Sequence, residues 1–468
     1  MDAIFACLPT QPLPFSAADA SLPASLFASA AAPLDGGGVD HISGLADALL
    51  SDIVSRLPAR DAARTAALSP RWRRVWASTP LVLDDARLLP DDCGVRAGPF
   101  RCVRLTYVCN YAAARRRGEL ARGWLRVLAE KGVHDLVLVC RNWPIRADLP
   151  AEVLHLASLR RLYLGLWDGF PSKALRRCAV AFPHLLELGL CRTDIKAADI
   201  DRLLQCSPVL EKLALIASDN SPRNIRVRSR SLRCVVFWMS VAHELNVLVA
   251  PRLERLILRT EGLRAPLGDD FRTRLNIGYV QELKVLGYLD PRIHVLEISN
   301  TVIEAGTKPS PRTIVPSVKI LAVKVRFGVR REAKMLPSFL RCFPNVETLH
   351  VMSDEPSGKF NFKFWQEAGP IRSLQSQIKR VVFKNFRGCY SELAFLRFVW
   401  ARAQLLQKMV IVLADEDDPA SLVAKLKPLA CAKRFRKDHK SVILVRNGGC
   451  AWSFRVASDL SVSDPFDC

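Results

Sequence analysis

The chain lacks the signals that would send it to a membrane or into an oxidising compartment. Its apolar runs are short, as in the strand-like segment 136–140, and none approaches the roughly 20 residues that span a bilayer. A membrane-spanning protein is therefore not expected. No Lys or Arg precedes Arg56, so the basic start of a secretory signal and the Arg-rich face of a mitochondrial presequence are both missing. Residence in the nucleus and cytoplasm is the expectation. The 14 cysteines contain no Cys-x2-Cys pair, which leaves no zinc site of the usual spacing, and a disulfide framework would need an oxidising compartment. They read as reduced thiols that fill cores.

Catalytic signatures are missing as well. There is no Gly-x-Ser-x-Gly elbow, His-Glu-x-x-His pair or kinase motif set, and the eight histidines are dispersed. The triplet Gly36, Gly37 and Gly38 lacks both a preceding strand and a following Lys-Ser or Lys-Thr, so it reads as a linker, not a phosphate loop. His134 and His350 lie in or beside predicted strands and read as structural imidazoles. The acidic run 415–418 lacks the spaced oxygens and Gly of a calcium loop and reads as a solvated turn. No enzyme, metal or cofactor is expected.

What is present is a foldable, basic chain. Its 468 residues are 50% apolar and 24% charged, which excludes wholesale disorder and allows several domains or one domain with a repeat array. Lys and Arg number 68 against 46 Asp and Glu, leaving a net charge of +22. Residues 1–38, rich in Ala, Ser, Pro and Leu, read as a disordered leader.

From Leu45 the pattern turns helical. Leu45, Leu49, Leu50, Ile53, Val54 and Leu57 recur at the spacing of one helix face, and Pro58 ends that helix. Asp61 is placed to cap a second helix running through Leu68. Ser69 and Pro70 supply the N-cap and first-turn pair of a third, which carries Trp72 and Trp76 four residues apart on one face. The two tryptophans either close the small core or meet a partner. The motifs Asp40-His-Ile-Ser-Gly-Leu-Ala-Asp-Ala-Leu-Leu50, Leu57-Pro-Ala-Arg-Asp-Ala-Ala-Arg-Thr65 and Leu68-Ser-Pro-Arg-Trp-Arg-Arg-Val-Trp76, in that order, resemble an F-box over residues 39–85. Ala46 departs from the Pro that usually follows Leu in that family. The resemblance implies docking to a Skp-type adaptor, and through it to a cullin, by Leu45, Leu49, Leu50, Ile53, Leu57, Pro58, Trp72 and Trp76.

The middle of the chain repeats. Triplets at Val133/Leu136/Leu138, Leu159/Leu162/Leu164, Leu185/Leu188/Leu190 and Leu210/Leu213/Leu215 start 26, 26 and 25 residues apart. They continue at Leu232/Val235/Phe237, Leu253/Leu256/Leu258, Val280/Leu283/Val285, Ile293/Leu296/Ile298, Val318/Leu321/Val323 and Val346/Leu349/Val351. The step from Val280 to Ile293 is too short for a whole repeat. This is the period of leucine-rich repeats, which stack one short strand each into a curved parallel sheet with helical or irregular returns. Such repeats are expected over residues 96–360. Their Cys206 and Cys342 stand at equivalent places and read as packing residues.

Residues 377–411 run as strand, Gly-marked turn, helix and strand, and resemble the FBD module that ends many plant F-box/leucine-rich-repeat proteins. An α/β module is expected at 361–446, with a tail at 447–468. The fold class is then α/β: a three-helix module, a repeat solenoid and a terminal α/β cap. By this resemblance the protein is a noncatalytic substrate receptor of a ubiquitin ligase whose repeats hold a target protein. Some F-box repeat proteins use a small molecule as co-receptor, but the sequence localises no pocket for one. The alternative is a basic scaffold for nucleic acid or another anionic ligand, using Arg115, Arg116, Arg117 and the basic run 433–440. Acidic residues interspersed among the cations favour a solvated face over that alternative.

Overall fold

A computed structural model describes residues 42, 44–55, 57, 59–79, 81–84, 100–107, 114–140, 147–178, 181–218, 222–260, 272–354, 362–414, 426, 441–446 and 454–467. The leader at 1–38, Pro58, the acidic run 415–418 and the basic run 433–440 lie outside the described residues, as do the side chains of Arg115, Arg116 and Arg117. The chain divides into two compact units, Met1–Thr193 and Asp194–Cys468.

The first unit opens with three short helices, α1 (Asp47–Ser55), α2 (Ala59–Thr65) and α3 (Pro70–Ser78). Ser69 is extended and its hydroxyl accepts the Trp72 N–H at 3.3 Å, with Pro70 in the first turn, so the expected cap of α3 forms. The second helix differs from expectation. It begins at Ala59, placing Asp61 in its first turn in an ion pair with Arg64, and it ends at Thr65, before Leu68. There Thr65 Oγ1 donates to the Ala62 carbonyl at 2.6 Å, the local side-chain bond that lets Ser and Thr compete with helix propagation.

Then follow β1 (Leu81–Asp84), β2 (Phe100–Tyr107), α4 (Ala114–Glu130), β3 (Asp135–Cys140), a 3-10 turn (Ala151–His155), β4 (Arg161–Gly165), α5 (Ser172–Arg177) and β5 (Glu187–Cys191). The five strands pair in parallel in chain order. Leu136, Leu162 and Leu188 stand in register, and so do Leu138, Leu164 and Leu190, all buried. A strand side chain repeats every second residue, so this register puts every ladder Leu on one face. On the opposite face the Tyr163 ring lies over Gly189, where a Cβ would come within 2.2 Å of the ring, and the Tyr163 hydroxyl donates to Glu187 at 2.7 Å.

The second unit begins with α6 (Ala197–Gln205) and alternates two sets of strands. β6 (Lys212–Ile216) is followed by β7 (Asn224–Arg228), β8 (Cys234–Trp238), β9 (Glu244–Val249), β10 (Arg255–Arg259), β11 (Thr273–Tyr279), β12 (Val285–Leu289), β13 (His294–Ile298) and β14 (Thr301–Val302). Next come β15 (Ile320–Val325), α7 (Arg330–Cys342), β16 (Thr348–Ser353), α8 (Phe362–Gln366), α9 (Arg372–Ser376), β17 (Arg380–Phe386), α10 (Tyr390–Arg402), β18 (Lys408–Leu413), β19 (Ser441–Arg446) and α11 (Phe454–Ser458). The main parallel sheet runs β6-β8-β10-β12-β15-β16-β17-β18-β19. Its ladder reads Leu213, Val235, Leu256, Leu286, Leu321, Leu349, Val381 and Met409, each opposite the next.

Two expectations change here. The triplet Val280/Leu283/Val285 is out of register, because Leu286, not Leu283, stands opposite Leu256. The triplet Ile293/Leu296/Ile298 is not in the main sheet at all: β13 joins a second sheet, β14-β13-β11-β9-β7, whose successive pairs are parallel except β13 with β14. The short step from Val280 to Ile293 is thus the distance from a repeat strand to its own return strand. Among the described residues between 222 and 303 the returns are extended, not helical. Ile225 and Val227, Leu245 and Val247, and Leu275 and Ile277 are buried at a period of two, which a helix could not present on one face.

Within each unit, the residue after two of the repeat strands turns the chain with a positive φ: Leu166 after β4 and Arg192 after β5 in the first, Ala217 after β6 and Met239 after β8 in the second. The Ala217 and Met239 amides donate to Trp238 and Arg259 carbonyls of the neighbouring repeat, which holds these left-handed corners in place.

In the α/β module expected at 361–446, Gly388 at φ +69° makes the turn between β17 and α10. Buried Glu392 caps α10. It accepts from the Cys389 and Arg387 amides at 3.0 and 3.1 Å and from Ser353 Oγ at 2.5 Å. Burial works to raise its carboxyl above the ordinary range, against those bonds. The core beneath is aromatic: Phe395 lies 5.0 Å from Trp365 and 5.1 Å from Phe327 between ring centroids. The C-terminal residues expected as a tail are, over 454–467, packed against the main sheet.

Candidate functional site

The three-helix module has room for few buried side chains, so the same helix must supply both a core and an outer face. Leu50 and Val54 of α1, Ala62 of α2, and Trp72 and Val75 of α3 form the core, with Leu45, Leu57 and Trp76 packed at its edge. Thr79 Oγ1 donates to the Val75 carbonyl at 2.6 Å and lies 2.9 Å from Ser51 Oγ, tying the end of α3 to α1. Arg71 joins the starts of the same helices: its guanidinium contacts Asp47 Oδ1 at 2.7 Å and donates to the Leu45 carbonyl.

The eight residues singled out by sequence therefore separate. Leu50 and Trp72 belong to the module's own core. Leu45, Leu57 and Trp76 are half-buried at its margin, and Pro58 lies outside the described residues. Leu49 and Ile53, four residues apart on one face of α1, are 55% and 42% exposed. Ile42 and Leu68, at 57% and 67%, are two further exposed aliphatics that helical periodicity could not flag, since both lie in turns. Fully burying an aliphatic side chain is worth about 1.5–3 kcal/mol, so Leu49 and Ile53 alone offer a partner a substantial apolar contact.

The repeat returns answer the question raised by the net charge. The residues before β8, β10, β12, β15, β16 and β17 form a charge ladder: Glu254 lies 2.6 Å from Arg233 and 2.9 Å from Lys284, and Glu347 lies 3.0 Å from Lys319 and 2.8 Å from Lys379. For Glu347, the hydrogen bonds from Lys379 and Lys319 hold the carboxyl below the usual range against the opposing pull of burial. Each carboxylate is thus shared by two cations, and all four of these cations have an acidic partner. A phosphate-binding stripe would leave such cations unpaired.

Among the described residues there is no group of three or more His, Cys, Asp or Glu placed to hold a metal ion, and no helix long and apolar enough to cross a membrane. Cys206 and Cys342 are buried, and burial pushes the Cys342 thiol up to about 12, far from thiolate reactivity. A cleft of about 1090 Å3 lies among Gly306, Lys308, Lys334, Arg341, Trp365 and Glu367, and Arg341 donates to the Ala368 carbonyl. His350, read from sequence as structural, is fully buried in β16 and hydrogen-bonded to Asp464 at 2.8 Å.

Comparison with known proteins names these parts. Residues 42–83 match the F-box domain, residues 121–351 match the LRR repeats of the family described as FBD-associated F-box protein At5g56370, and residues 366–411 match the FBD. The chain is an F-box protein with leucine-rich repeats. It carries its FBD after the repeats, and on that organisation it belongs with the plant F-box/FBD/LRR-repeat proteins.

From Arabidopsis thaliana, F-box/FBD/LRR-repeat protein At5g53840 is 22% identical over 415 residues, which covers 80% of this chain and 88% of that protein. F-box/FBD/LRR-repeat protein At1g13570 is 22% identical over 409 residues, 83% of this chain and 95% of that protein. F-box/LRR-repeat protein At5g02910 is 28% identical over 181 residues, 38% of this chain. The chain spans about half the length of At5g02910, At1g49610 and At3g59250, with 39%, 56% and 45% of each matched.

Proposed function

We propose that this F-box protein is a noncatalytic substrate-receptor subunit of an SCF-type cullin ubiquitin ligase. Its helical module docks a Skp-type adaptor, which links it to the cullin, and its repeats hold a target protein. The observation that carries this reading is the division of α1: Leu50 and Val54 close the core while Leu49 and Ile53 stand in solvent on the same helix. A module this small gains nothing by displaying two large aliphatic side chains unless a partner covers them.

The chain contributes placement. Holding a target beside a charged conjugating enzyme raises the local concentration of its lysines, and the chemistry is done by other subunits. Work in the nucleus and cytoplasm follows from the same reading. Retention of a Skp-type adaptor in a pull-down from purified components tests it. An apolar docking face keeps its adaptor as salt rises, whereas a phosphate-driven complex weakens steeply with salt. Absence of a retained adaptor at any salt overturns the proposal.

A further inference from the structure

The main sheet of the second unit has two faces. One carries the buried ladder from Leu213 to Met409. The other is built from the intervening residues, among them Arg255 and Ile257 of β10, Ala322 of β15, His350 of β16, and Arg380, Val382 and Lys384 of β17. A strand face left to await a partner would be open to water. Yet Ile257, Ala322 and His350 are fully buried and Val382 nearly so.

Residues 454–467 run along this face. Helix α11 lies beside β8, and the segment then reaches β10, β12, β16 and β17. Its contacts are those of a bound peptide. Arg255 donates to the carbonyls of Ala457, Asp459 and Val462. Asp464 meets His350 Nε2 at 2.8 Å. Asp467 takes both arms of the Arg380 guanidinium at 2.6 and 2.7 Å, and Lys384 Nζ donates to the Phe466 carbonyl at 2.8 Å. The buried Phe466 ring sits 5.0 Å from Tyr288, edge to face, and 5.5 Å from His350. The strands supply the cations and the aromatic pocket, and the segment supplies carboxylates, carbonyls and the buried rings of Phe454 and Phe466. Recognition of an extended acidic peptide uses the same division of parts.

We propose that the strand face from β8 to β17 is a peptide groove selective for acidic segments with an aromatic anchor, of the pattern Asp-x-Phe-Asp, and that residues 454–467 occupy it as an internal ligand. This rests on the reading of the repeats as the target-holding part, and it names the chemistry of the target. A tethered ligand acts at high effective concentration, so a target carrying this pattern must displace the chain's own C-terminal segment.

The test uses the full-length chain and a fluorescein-labelled synthetic peptide of residues 454–467, read by anisotropy. Phe466→Ala with Asp467→Asn frees the groove and should tighten peptide binding by about tenfold over wild type, because the internal competitor is weakened. Arg380→Glu on that background should abolish binding, and a peptide with both Asp464→Asn and Asp467→Asn should fail to compete. Asp467→Asn alone, at a partly exposed position, is the milder release and should give an intermediate gain. The proposal is overturned if the folded variants bind the peptide no better than wild type. It is also overturned if the double variant unfolds and the milder one gains nothing, since the segment is then part of the fold and not its ligand. No adaptor enters this assay, so its failure leaves the adaptor reading standing, and failure of the adaptor pull-down leaves the groove standing.

Discussion

His350 and Asp464, 114 residues apart in the chain, share a 2.8 Å hydrogen bond that joins the main sheet to the C-terminal segment. His350 is fully buried and Asp464 nearly so, which makes the pair depend on each other. Burial pushes the Asp464 carboxyl up, but the His350 hydrogen bond and charge, the Phe466 amide and Arg380 outweigh it and hold the group below its usual range. Removing one partner leaves the other without its main contact in a dry site. His350→Ala should therefore cost about 2–4 kcal/mol in urea unfolding, and Asp464→Asn less, since the amide oxygen still accepts. Equal stability of His350→Ala and wild type would show that the pair carries no load.

Stability should also fall as the solution becomes mildly acidic. Burial lowers the His294 pKa from 6.5 to about 4, and its Nδ1 accepts the Asp290 amide at 3.0 Å, a bond that needs the neutral ring. The folded pKa lies below the unfolded one, so the contribution is complete above about pH 6.5 and is lost as pH falls toward 4. The shift corresponds to about 3 kcal/mol across that window. Urea midpoints measured between pH 7.5 and 4.5 should decline for wild type and flatten for His294→Asn, which keeps an acceptor but cannot titrate. Parallel profiles would refute the assignment.

Glu392 holds three donors at the junction of β16, β17 and α10. Glu392→Ala should destabilise the second unit by about 2–4 kcal/mol, because the Ser353 hydroxyl and two amides lose their acceptor together. Glu392→Gln keeps two of the three contacts and should cost roughly half as much, as read by denaturant titration. A cost under about 0.5 kcal/mol for the alanine variant would place those donors in contact with water instead.

The repeats were legible because their ladder has a fixed period: Leu136, Leu162 and Leu188 come together as their spacing requires. The α3 cap was legible for the same reason, being local chemistry within Ser69–Trp72. The return strands hid because alternation in short segments such as Ile225 and Val227 competes with a repeat pattern that normally brings helices. The register of β12 slipped because Leu283 and Leu286 are both buried and both apolar, so hydrophobicity alone cannot choose between them. In the F-box, periodicity marks a helix face but cannot divide it into core and exterior. That decision, between Leu50 and Leu49, belongs to the packing of α3 across α1. The groove was the least legible feature, since its cations and its carboxylates lie far apart in sequence and are joined only by the fold.

On the proposed function, Leu49 and Ile53 form a docking face separate from the core that Leu50 and Trp72 build. Adaptor retention by Leu49→Asp, Ile53→Asp and Leu50→Ala chains, each paired with circular dichroism melting of the same sample, tests it most directly. Leu50→Ala should lose about 2–5 kcal/mol of module stability and bind poorly because it folds poorly. Leu49→Asp and Ile53→Asp should melt as wild type does and still lose the adaptor by at least about tenfold, as expected for a charge buried against an apolar partner. Wild-type retention by both folded aspartate variants would show that Leu49 and Ile53 are not where the adaptor docks.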